Sequence, residues 1–286
     1  MVKAMVNPLK FVLAREPGRP MLLTGLIIVT IVIAMAILAP YIAPYNPIAS
    51  TGPSLEPPCK KHLMGTNQLG EDLLSRVIYG SRVVLFVVFT ATIISMLAGI
   101  PLGIISGYKG GKLDRLLSMV MDSIYAFPAL ILAIAIAAVL GPSPMNTAIA
   151  IAVVYIPTYF RMTRSQTLSL REQLFVEAAR SLGLSDLQIM RKHILPNLLP
   201  TIFVVFSLSV TDAILTEAGL SYLGLSVNWP TPDWGLDLRV GQSYLTIGYW
   251  WLSLFPGLMI MLLAMGFAFI GEALSERISI AAKQVR

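Results

Sequence analysis

Residues 21–39 run for nineteen positions without a charge. At 1.5 Å of rise per residue, that is enough helix to cross the hydrocarbon core of a bilayer. Backbone polar groups in hydrocarbon must be satisfied internally, so a helical run of this kind commits the chain to a membrane bundle. Further apolar stretches cover 83–107, 118–140, 145–160, 198–220 and 250–271. Together they predict an all-α polytopic membrane protein of about six transmembrane helices. Only 13% of the 286 residues are charged, about half the share expected of a soluble domain, and no large soluble domain fits beside six spans. A cleavable signal peptide is the competing reading of the first run. The run is too long for a typical signal, and Pro40 and Pro44 follow without a small-residue cleavage pattern, so a retained span is expected.

Lys and Arg set the orientation. With the N-terminus inside, sixteen of them fall on inner segments and five outside: Lys60, Lys61, Arg76, Arg82 and Arg239. An even number of spans then puts both termini in the cytoplasm. The segments expected are a cytoplasmic N-terminal stretch (1–20), and a first helix with an irregular proline-rich outer connection and a short interfacial helix at 71–79 (21–82). A five-helix core follows (83–271) with an inner loop at 161–197, then a cytoplasmic tail (272–286). Tyr249, Trp250 and Trp251 are expected at the outer interface as an aromatic belt, with Trp229 and Trp234 on the same face.

The inner loop is the polar stretch of an otherwise lipid-soluble chain. Residues 171–182 read as a short amphipathic helix with Leu174, Phe175, Ala178 and Leu182 on one face. Gly183 supplies a residue able to take positive φ at its end. Ser185 and Gln188 form a capping-box start for a second helix, on which Leu187, Met190 and Ile194 share a face and whose reach Pro196 limits. Two such helices bury little of their own surface and need another to lie against. The alternatives are a protein partner or the membrane surface.

Glu177-Ala178-Ala179, Gly183 and Ile194-Leu195-Pro196 resemble, at the same spacing, the EAA loop of ABC-importer permeases. The segment 62–82 is similar to the signature preceding the second span in the peptide-type subfamily, through Leu63, Gly65, Thr66, Leu69, Gly70, Asp72, Ser75, Arg76, Tyr79, Gly80 and Arg82, with Met64 inserted before Gly65. Residues 39–47 and 217–234 extend the likeness over nearly the whole chain, to the shorter "C"-type permease of a dipeptide/oligopeptide importer. The resemblance implies a loop that docks in a groove of an ATPase. Leu174, Ala178, Leu182 and Leu187 would present the apolar surface, and Glu177 and Arg180 polar contacts. Ala178 and Ala179 would allow close approach, Gly183 would set the angle between the two helices, and Ile194, Leu195 and Pro196 complete the motif. It also implies a heterodimer with a homologous permease, two ABC ATPases and an extracytoplasmic solute-binding protein, in a prokaryotic inner membrane. ATP and Mg would be bound by the ATPases, with no cofactor on this chain. The same family serves oligosaccharides and nickel complexes.

Catalytic motifs fail one by one. The GYKGGKL segment at 107–113 lacks the first glycine of a phosphate loop and has Leu113 where Ser or Thr is required. His62 and His193 fall on opposite sides of the expected membrane, which excludes a two-histidine metal site; each reads as an interfacial or surface residue. Cys59, alone, forms no internal disulfide. No nucleophile elbow or metalloprotease motif is present, and no basic cluster interleaved with aromatics suggests nucleic acid. The informative polar residues are Asp122, Asp212 and Glu217, whose carboxylates are costly in lipid and must face protein or water. They are candidates for lining or gating a polar pathway, against a structural role such as pairing of Asp122 with Arg115. An ion-coupled secondary transporter is the rival class; it calls for intramembrane ion sites and often internal repeats, and three scattered acids support it thinly.

Overall fold

The computed structural model describes residues 18–284, with side chains through residue 279, and is helical throughout its core. Residues 1–17 of the expected N-terminal segment and 285–286 of the expected tail lie outside the described residues. The chain opens with α1 (Arg19–Ile42), close to the expected first span. Residues 43–72 then form an irregular lobe, and α2 (Leu73–Lys109) follows as one unbroken helix. The short interfacial helix and the second span expected as separate elements are therefore one. Asp72 caps its start, accepting from the Ser75 amide at 2.8 Å. Gly80, where a break looked natural, stays helical; a Cβ there would lie 2.9 Å from Cδ1 of Trp234, whose ring fills the space.

The third apolar stretch is broken. α3 (Gly111–Tyr125) and α4 (Ala129–Leu140) meet at 88°, because Pro128 has no amide to continue the helix and biases Phe127 away from helical backbone. α5 (Pro144–Arg171) runs eleven residues past the expected end of the fourth span at 160. The loop helices are α6 (Leu174–Ser181) and α7 (Asp186–Ile189). A π-helical turn, Met190–Ile194, leads without interruption into α8 (Leu195–Tyr222). Pro196 therefore stops nothing, standing just after the π turn in one continuous helical run. α9 (Trp234–Leu245) and α10 (Trp251–Gln284) complete the fold. The last helix continues well beyond residue 271, where a separate tail was expected.

Among the described residues four helical segments are long and apolar enough to cross a membrane: α1, α2, the run Asp186–Tyr222 and the part of α10 at Trp251–Ser279. The bent α3–α4 pair makes a fifth, and six is reached only with α5, whose first half alone is apolar. α5 is shielded by protein. It packs along α2, where Gly99, Gly103 and Gly107 form a stripe with no room for a side chain: a Cβ at Gly99 would lie 2.7 Å from the Ile156 carbonyl oxygen. Backbones this close are the mark of small-residue packing in lipid, where apolar burial alone gives no drive to associate. Ser95 adds a bridge across the same seam, donating to the Ala152 carbonyl at 3.0 Å.

Candidate functional site

Residues 171–195 gather at one end of the bundle. α6 turns Val176 and Ala179 inward, onto Ile100, Ile104, Tyr108, Ile189, Ile194 and Leu198. Leu174, Leu182 and Leu187 point the other way and are 81%, 80% and 70% exposed. The loop is therefore two-faced, and the resemblance-derived set divides. Leu174, Glu177, Ala178, Arg180, Leu182, Gly183 and Leu187 are open to solvent, whereas Ala179 and Ile194 belong to the protein's own core and Leu195 and Pro196 are half-buried. Leu187 is exposed where Met190 and Ile194 are buried, although Leu187 and Met190 line one apolar groove with Ile104 and Leu195. Gly183 has φ of 80° and nothing within 4 Å of where a Cβ would stand, so its constraint is backbone conformation. Ser185 and Gln188 close the reciprocal capping box.

This loop is tied to the far end of α2. The Tyr108 hydroxyl donates to Asp186 at 3.1 Å, Arg180 donates to the Tyr108 hydroxyl at 3.3 Å, and Arg171 donates to the Gly107 carbonyl at 3.0 Å. Close by, Asp114 of α3 receives Ser106 and a two-pronged Arg164, at 2.5 and 2.7 Å. Asp122 pairs with Arg161 at 2.7 Å rather than with Arg115, and Arg161 also covers the Tyr125 ring at 4.0 Å. Asp114, Arg115, Ser118, Asp122 and Arg164 line a polar cleft of about 860 Å³. Deeper in the bundle, Asp212 faces a second cleft of about 530 Å³, shared with Tyr125, Phe127, Tyr155, Thr158 and Thr216. Glu217, grouped with these acids on sequence grounds, is fully buried and accepts from the Ser226 hydroxyl at 3.1 Å; it holds α8 to the following loop and reaches no solvent.

The opposite end carries a polar cluster that sequence reasoning missed. Arg76 is fully buried and binds Asp237 through Nε and Nη2 at 2.9 and 2.7 Å, and Glu71 through Nη1 at 3.0 Å. It also sits 4.1 Å above the Trp229 ring. His62 is buried too, 2.9 Å from Asp72, not a surface residue. Burial pushes the Asp237 carboxyl up to about 6, against the pull of Arg76. Trp234 is enclosed, donating to the Val77 carbonyl at 2.8 Å, and Trp251 is nearly so; of the expected aromatic belt, only Trp250 is widely exposed. Acids spaced at 71, 72, 233 and 237 around one Arg were the signal available in the sequence.

Residues 99–280, most of the bundle, match the family described as binding-protein-dependent transport system inner membrane component. The chain belongs to this family. The permease carries at residues 19–58 a second match, to the N-terminal transmembrane domain of oligopeptide transport permease C. It is 40% identical to the dipeptide transport system permease protein DppC of Alkalihalophilus pseudofirmus, over 95% of this chain and 89% of that one. It is 36% identical to the probable D,D-dipeptide transport system permease protein DdpC of Escherichia coli, over 91% and 87%. Among solved structures, an inward-facing chain of the MetNI methionine ABC transporter superimposes with a TM-score of 0.57 at 21% identity, covering 72% of this permease and 95% of that chain. The fold is thus that of an ABC-importer permease in the membrane, a transport subunit of a family that works with ATPase and binding-protein partners.

Proposed function

We propose that the permease forms half of the pathway of an ATP-driven peptide importer and is itself non-catalytic. The observation that carries the reading is the two-faced loop: α6 is pinned from within by Val176 and Ala179 while Leu174, Leu182 and Leu187 project into solvent. Such an exposed apolar patch marks a docking surface, and an ATPase groove would take it as a helix-in-groove contact. The names of the relatives, dipeptide and D,D-dipeptide permeases among them, support peptides as the cargo. The loop then lies on the cytoplasmic side with both termini, and the Arg76 lobe faces outward toward a solute-binding protein. A homologous permease supplies the other wall of the pathway, and two ATPases bind ATP and Mg. When they close, the docked loop moves with them and tilts α5 and α8, alternating access. Asp122 sits at the inner mouth of this pathway and Asp212 on its wall.

The test is purification of the tagged permease in mild detergent, wild type beside Glu177→Lys/Gly183→Trp. The expected outcome is an ATPase pair with the wild type alone. Equal recovery of ATPases with both forms, or with neither, refutes docking through this loop.

A further inference from the structure

Asp212 is a carboxylate in the middle of a span, and it forms no hydrogen bond or ion pair through its side chain with any described residue. Its neighbours in the cleft are three aromatic rings, Tyr125, Phe127 and Tyr155, with Thr158 and Thr216. Tyr125 and Phe127 are more than half exposed, standing in the cleft rather than packing against the bundle. Tyr155 is held in place by Thr216 at 3.1 Å, and Thr216 in turn donates to the backbone carbonyl of Asp212 at 2.8 Å. Arg161, which lies over the Tyr125 ring, is paired with Asp122.

An intramembrane carboxylate left without a protein partner must be solvated or must meet a cation. Ring faces present negative potential, so aromatics around a carboxylate make a site for an ammonium group, which gains from both. Potassium-sized ions favour several oxygen ligands, and one carboxylate among rings offers few. We infer that Asp212, with Tyr125, Phe127 and Tyr155, is a subsite on the pathway wall for a primary ammonium group of the solute. The inference rests on the peptide reading, since a peptide brings such a group at its N-terminus or on a lysine side chain.

The experiment uses the assembled transporter in proteoliposomes with its binding protein and ATP, comparing wild type, Asp212→Asn and Asp212→Glu. Peptide uptake is measured per ATP hydrolysed for a neutral dipeptide, its N-formyl derivative and a lysine-bearing dipeptide. Loss of one charge-assisted contact predicts a fall of about tenfold or more for amine-bearing peptides in Asp212→Asn, substantially restored by Glu, with the ATPase rate and assembly unchanged. A fall confined to the free N-terminus or to the lysine peptide identifies the amine. Unchanged uptake per ATP for every peptide overturns the inference, as does disassembly of the complex in Asp212→Asn, which would mean that a neighbouring subunit provides the cation. If the wild type carries some other solute and no peptide, the peptide reading falls separately. Asp212 is then judged by the same comparison on that solute, and a solute without an amine overturns the subsite too.

Discussion

Replacing Arg76 by Ala strands two buried carboxylates, Glu71 and Asp237, and uncovers one face of Trp229. Removing one partner of a buried ion pair costs about 3–5 kcal/mol, most of it the penalty on the charges left behind. Three kcal/mol is a factor of roughly a hundred or more in a local opening constant. The lobe at 43–72 is the structure that should open, because Arg76 reaches it through Glu71 and the Pro47 carbonyl. Its backbone is held by bonds such as Leu55 to Asn67 and Thr66 to Glu56. Hydrogen–deuterium exchange on the detergent-purified protein reads those amides directly. Their exchange, corrected for intrinsic rate, should rise about a hundredfold in Arg76→Ala while α5 keeps its protection. Adding Glu71→Gln and Asp237→Asn should recover most of the loss, since neutral amides are far cheaper to leave buried. The loss should also be smaller at pH 5 than at pH 8, where Asp237 can no longer escape by protonation. Unchanged exchange in Arg76→Ala, or no recovery on neutralising the acids, refutes the claim that buried charge holds this lobe.

Asp237 itself predicts a pH dependence in the intact protein. Its value of about 6 in the fold exceeds the roughly 3.9 of an unfolded aspartate, so the native lobe binds the proton more tightly. Lobe stability should fall as pH rises from about 4 through 6 and then level off, and Asp237→Asn should flatten that change in the same exchange assay. At the loop end, Gly183→Trp places a side chain at φ 80°, which should uncouple ATP hydrolysis from uptake while membrane insertion is retained; normal uptake per ATP would refute this. In the α2–α5 seam, Gly103→Leu drives a side chain into Thr163 and the Phe160 carbonyl. Thermal aggregation in detergent should begin several degrees earlier than in Leu97→Ala, a change at a 66% exposed position.

Much of this fold was legible in the sequence because lipid leaves a chain few options. Charge-free runs located α1 and α8 within a few residues and the apolar parts of α2 and α10, whose polar extensions they missed, and the Ser185–Gln188 capping box was readable from two side chains. The bend at Pro128 was marked by the proline, yet an apolar run either side of it looks the same whether straight or broken. Pro196 misled for a complementary reason: a proline reads as a stop, and nothing in the sequence announced the π turn that lets the helix continue past it. In the loop, amphipathicity found the outward leucines but not which small residue faces in, since Ala178 and Ala179 are chemically identical and only packing under Tyr108 and Ile194 separates them. The stripe of Gly99, Gly103 and Gly107 was available as a four-residue spacing. The Arg76 cluster was not available locally, because its partner Asp237 lies 161 positions away.

The unbroken α2 is about 55 Å from end to end, with Arg76 near one tip and Tyr108 near the other. The helix runs on through Pro101, so its two ends are joined by one continuous element. Linkage then works in both directions. On the proposed assembly, any preference that nucleotide binding imposed on the lobe at 43–72 would be returned with equal strength by a binding protein seated there.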